Sequence, residues 1–212
     1  MRKILLLPAA AAVAVLTAFA TTPAFADDSA VLTAGGSDVA VGDTIVGTST
    51  SAVLTTSSGS ITCTSASFTA SVLTNPAASG SATEQTTVLS STGCKSSIAG
   101  TTSVKSVGLT SGTTPTATVT DAGASPTGAP TLSITPSVTV VLGTVLGQVT
   151  CVYSGSLTAS VDNTDNAIDF AGVTVTKQTG SSAACPASGT YTATYSPVVD
   201  TTVAGDPAVI VN

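Results

Sequence analysis

Cys63, Cys94, Cys151 and Cys185 are the only thiols of a 212-residue chain that has no histidine. Without an imidazole, Ser-His-Asp and Cys-His nucleophiles are unavailable, and no GxSxG elbow occurs. A Ser-Lys pair would have to recruit Lys95, Lys105 or Lys177, none of which stands in an SxxK context. Zinc is disfavoured for the same want of nitrogen ligands and because no CxxC spacing is present. An even cysteine count of this kind predicts disulfides formed in an oxidising compartment. Four cysteines allow three pairings. The sequential one is expected, Cys63 with Cys94 and Cys151 with Cys185, across two intervals of nearly equal length.

Carboxylates are the remaining chemistry. Two of them can hydrolyse a glycoside, but Glu84 is the only glutamate, and most aspartates fall in turn-like settings where the side chain caps its own backbone. A carboxylate-dependent hydrolase using Glu84 and Asp162 is therefore the least favoured function, and the chain is expected not to be an enzyme. Asp162, Asp165 and Asp169 cluster in the segment DNTDNAID. Oxygen ligands so spaced can hold calcium, yet the glycine and closing glutamate of an EF-hand loop are missing, and a solvated Asx turn is the stronger reading. No cofactor is expected.

The elements that must position these residues are strands. Arg2-Lys3, an apolar run over 4–19 and the small-residue site Ala24-Phe25-Ala26 have the three-part grammar of a signal peptide, so residues 1–26 are set apart from the fold. Over 27–212 apolar and hydroxylated residues alternate with period two, as in Leu157, Ala159 and Val161 against Ser156, Thr158 and Ser160. Strands are expected near 38–46, 52–56, 60–63, 67–73, 86–90, 102–109, 116–120, 131–134, 137–142, 144–153, 156–161, 167–176, 189–195 and 208–211, with no long helix. Many short strands between turn clusters predict an all-β antiparallel sandwich or barrel stapled by two disulfides.

One domain over 27–212 is favoured, with the alternative of two halves, 38–120 and 131–212, joined by the Gly/Pro-rich loop 121–130. The halves share phrases: Ile61-Thr62-Cys63 and Val149-Thr150-Cys151 are each followed by an alternating run, 67–72 and 156–161. The second run lies one residue further on, and a bulge or turn at 153–155 would have to absorb the offset. Coincidence in a Ser/Thr/Ala-rich chain is the competing explanation.

The three lysines beyond the signal face eleven acidic residues in the full chain, which disfavours nucleic acid, since phosphate recognition needs cations. No second apolar run is long enough to span a membrane. The stretches 146–153, 162–166 with Ile168, Cys185-Pro186, 190–197 and the final Val-Asn resemble a group of secreted actinobacterial proteins. That resemblance implies export and two disulfides, and no activity. The acidic, Ala/Gly/Ser/Thr/Val-rich, doubly cysteine-paired composition is more loosely similar to the neocarzinostatin-like apoproteins that carry enediynes. It departs from them in length and in lacking their very short second disulfide loop. Three functions follow as expectations: surface interaction in the cell envelope or with an extracellular protein, carriage of a small ligand, and, least favoured, the hydrolase.

Overall fold

The computed structural model describes residues 29–212, so the expected signal peptide lies outside the described residues. The fold is all-β and antiparallel. Its strands are β1 (Leu32–Ala34), β2 (Ser37–Asp38), β3 (Thr44–Ser49), β4 (Ala52–Thr56), β5 (Gly59–Cys63), β6 (Ser65–Thr74), β7 (Ser81–Thr92), β8 (Lys95–Ser96) and β9 (Thr101–Leu109). These are followed by β10 (Thr116–Thr120), β11 (Thr131–Ile134), β12 (Ser137–Thr144), β13 (Gly147–Ser154), β14 (Leu157–Asp162), β15 (Ala167–Lys177), β16 (Ser188–Tyr195), β17 (Val198–Asp200) and β18 (Val209–Val211).

The two longest strands, β7 and β15, organise the sheet. On one edge β7 pairs with β10 and then meets β9 at the single pair Ser90↔Gly108, while its other edge pairs with β6. β15 pairs with β14 and then β13 on one edge and with β16 on the other. The pairings β10–β11, β11–β14, β12–β13 and β9–β12 complete a closed ring of strands, β7–β10–β11–β14–β15–β13–β12–β9. Closure removes sheet edges that this lysine-poor chain could not otherwise blunt.

Each long strand has a bulge. Thr69 pairs with Val88 and Ala70 with Thr86, which leaves Thr87 as the extra residue. In β15, Phe170 pairs with Ala193 and Val173 with Tyr191, again one residue too many. An inserted residue reverses which parity faces inward. Thus Ala82, Glu84 and Thr86 point in before the first bulge, with Leu89 and Ser91 after it.

Further features correspond between the two stretches. The hairpins β4–β5 and β12–β13 have matching turns: Thr56 Oγ1 donates to Gly59 O at 2.8 Å, and Thr144 Oγ1 to Gly147 O at 2.9 Å. Gly59 and Gly147 have φ of 134° and 121°, a region that strains any residue with a Cβ. Asn75, after β6, clamps Leu32 through both its amide and its carbonyl, and Asn163, after β14, clamps Val211 in the same way. Those two clamped residues pair with each other in the small sheet β2–β1–β18. Asp121 after β10 and Asp200 at the end of β17 are 1% and 0% exposed. The one-residue offset is taken up between Ser154 and Leu157, where β13 passes into β14.

Strand pairing joins the stretches 38–120 and 131–212. β9–β12, β10–β11, β16–β4 and β17–β3 each join a strand of one to a strand of the other. The connection 121–130 is pinned at its start by the Asp121 carboxylate, which accepts from Gly80 N at 2.6 Å and Ala124 N at 2.7 Å. Burial opposes ionisation there, but the backbone donors of Ala124, Gly80, Gly123 and Ser79 hold the carboxyl below the usual carboxylate range.

Several expected boundaries shift for physical reasons. The strand expected over 38–46 is split by a turn at 40–43, closed by Asp43 N to Ala40 O at 3.1 Å. That expected over 86–90 extends to Ser81–Thr92. The break expected near Gly143 falls instead at Val145-Leu146, an apolar hairpin turn. Both disulfides form in the expected pairing, Cys63–Cys94 and Cys151–Cys185.

Candidate functional site

The inward side chains of the two layers do not fill the space between them. A cavity of about 130 Å³ remains, walled by residues from both stretches of chain. Its aliphatic wall includes Leu54, Ile61, Leu132, Val140 and Leu157. Phe68, Phe170, Tyr191 and Tyr195 form an aromatic cluster: Phe68 meets Tyr195 edge-on at 5.2 Å, and Phe170 lies 5.9 Å from Tyr191 and 6.1 Å from Tyr195. Phe68 is seated over Gly47, its β3 partner, where a Cβ would collide with the ring. Cys63 also lines the cavity, so one disulfide is part of the wall.

The polar side chains of β7 stand out in this apolar space. Glu84, Thr86 and Ser91 all line the cavity from the one strand. Glu84 is 4% exposed, and burial pushes its carboxyl up to about 7 with no charge or hydrogen bond contributing. Its cross-strand neighbours are Val72 and Ala117, both buried and apolar. Together with Leu132 and Ile168 it also lines a smaller adjoining hollow of about 20 Å³. The other titratable groups on the wall are phenols. Burial raises Tyr153, whose hydroxyl donates to Pro186 O at 3.1 Å. Tyr191 is raised by burial and by the adjoining Tyr195, which lies 2.7 Å away hydroxyl to hydroxyl, and burial likewise raises Tyr195.

Leu89, Ser91, Val107 and Leu109 keep part of their exposure where β7 and β9 share their single pair. The cavity wall is thinnest in backbone hydrogen bonds along this seam.

The other residues singled out in the sequence lie elsewhere. Asp162 is exposed and accepts from Thr164 N at 2.7 Å, and this bond keeps its carboxyl below the usual range. Asp169 accepts from Thr194 Oγ1 at 2.8 Å, and Asp165 offers its backbone carbonyl to Ser196 Oγ at 2.8 Å. Among the described residues no group of three or more His, Cys, Asp or Glu side chains is arranged to hold a metal ion. Asp162 does not line the cavity that holds Glu84, so the two carboxylates of the hydrolase reading are not brought together there. No helix among the described residues is long and apolar enough to cross a membrane. No family model, curated protein or solved structure matches the chain.

In the sequence Glu84 stands out only as a lone acid. The signal it carries is positional: Ala82, Glu84 and Thr86 share one parity, and a glutamate between two small residues on a buried face is a departure from the usual exposure of acids.

Proposed function

We propose that the protein is a secreted, non-catalytic carrier of a small, largely apolar ligand held between its layers. The void is the observation that carries this reading. Native interiors are close-packed, and a cavity of about 130 Å³ forfeits on the order of 3 kcal/mol of packing. An apolar cavity of comparable size, about 150 Å³, takes up benzene. Export is supported by the signal grammar and the two disulfides, and carriage agrees with what the similarity to enediyne-carrying apoproteins implies.

Calorimetric titration of the oxidised 27–212 chain with toluene and indole should give saturable binding. Val140→Phe, which directs a larger ring into the void, should abolish it while leaving strand content unchanged. A wild-type chain that takes up neither probe would exclude carriage.

A second reading, surface interaction with an envelope component or an extracellular protein, is supported by the β12–β13 turn, where Val145 and Leu146 are 82% and 96% exposed. Leu146→Ser should change stability by less than about 0.5 kcal/mol and abolish capture of the partner from envelope extracts. Undiminished capture by this variant would remove the support for this surface.

A further inference from the structure

We propose that the cavity selects ligands that bear a basic amine on an apolar body, with the ammonium group seated against the Glu84 carboxylate and the body against the apolar wall of β15 and β16. The inference rests on the carrier reading above and adds the chemical class of the ligand.

The fold itself does not need an acid at this position. Glu84 pairs across β6 with Val72, and the corresponding pair in the other stretch is Ile168 with Val161. Both Glu84 and Ile168 face inward, and both line the same two hollows. The next inward residues correspond too, Thr86 to Phe170, each just before its bulge. Where β15 contributes apolar side chains to the lining, β7 contributes Glu84 and Thr86. Where the second stretch accepts isoleucine, a glutamate adds desolvation and no internal contact, so its use must be external to the folded chain.

Among the described residues no cation reaches it. Lys95 and Lys105 are exposed, and Lys177 Nζ donates to Cys185 O at 3.3 Å. The elements around the carboxyl present Val72, Ala82, Ala117, Leu132 and Ile168, none of them titratable, and the cavity's remaining titratable groups are the three phenols. An acidic ligand would set two carboxyls together, and a neutral alcohol would leave an ionised carboxylate uncompensated. An ammonium group supplies the missing counter-charge and hydrogen-bond donors at once. Below neutrality Glu84 must first release its proton to solvent, which makes amine binding weaken as the pH falls.

The test is a matched series of one ring size: benzylamine, benzyl alcohol, benzoate and toluene, titrated calorimetrically into the oxidised 27–212 chain. Benzylamine should bind at least tenfold tighter than benzyl alcohol at pH 8, and benzoate weakest. From pH 8 to pH 6 the benzylamine affinity should fall about tenfold, as expected for a group that titrates at about 7, while toluene stays constant. Glu84→Gln should erase both the preference and the pH dependence while the strand content by circular dichroism stays that of wild type. Glu84→Ile, which copies the residue at the corresponding Ile168, serves the same purpose should the amide variant fold poorly. Toluene binding without an amine preference, or a preference that survives both variants, overturns the amine assignment and leaves the carrier reading standing. Failure of every probe with the wild-type chain overturns both.

Discussion

Replacing Cys151 and Cys185 together with alanine should lower the unfolding free energy by about 4 kcal/mol, and the same change at Cys63 and Cys94 by a similar amount. The bridges close intervals of 34 and 31 residues, and in the chain-entropy account loops of this size restrict the unfolded ensemble by about 4 kcal/mol each. Against a total stability of roughly 5–15 kcal/mol for an ordinary domain, either loss is a large fraction. The two should differ in what else they disturb. Cys151–Cys185 ties a region already held by Ser182 N to Thr150 O at 3.0 Å and by Ser181 Oγ, which donates to Val152 O and accepts from Val152 N. Cys63 lines the cavity, so its removal should also weaken uptake of an apolar probe. Guanidinium unfolding of the two double variants measures both losses, and a change below about 1 kcal/mol in either would contradict the entropic account.

The second large effect is a pH dependence that runs opposite to that of acids held ionised by hydrogen bonds. Glu84 titrates at about 7 in the folded chain against 4.5 in the reference state. A carboxyl whose folded pKa is raised costs nothing while protonated in both states, below about 4.5. Its penalty grows as pH rises toward 7 and is constant above that, at about 3 kcal/mol. The ligand-free protein should therefore be more stable at pH 5 than at pH 8. Asp121 acts in the other direction, because its lowered pKa stabilises the fold above 3.8 and that gain is lost only in stronger acid, outside this window. Glu84→Gln should flatten the profile between pH 5 and pH 8, and Glu84→Ile should do so while raising stability at pH 8. Denaturant titrations of wild type giving equal stability at both pH values would show that the carboxyl finds compensation in the folded state.

The presence of two disulfides and the strand alternation were legible because each depends on local chemistry: an even cysteine count, and period-two burial along a single strand. The repeated Thr-Cys phrases lie in two hairpins that have the same threonine-to-glycine turn. The extent of β7 was hidden by the residue of most interest, since an inward glutamate breaks the alternation that reveals a strand. The turn at Val145-Leu146 was hidden because apolar residues at a hairpin tip imitate strand continuation. The cavity could not be read at all. A void depends on how side chains such as Ala117, Val140 and Tyr191, far apart in sequence, meet across the layers.

The pairings that join opposite ends of the chain bear on how the cavity comes into being. Gly47 pairs with Val198, and Ala52 with Ala193. Contacts of such long sequence separation form late and slow folding, because the loop entropy is lost before they repay it. The cavity is lined by residues from Ala52 to Tyr195, so its wall is complete only once these end-to-end pairings have formed. Under the carrier reading proposed above, a ligand at about a hundred times its dissociation constant would raise the unfolding free energy of this end-to-end paired fold by about 2.7 kcal/mol.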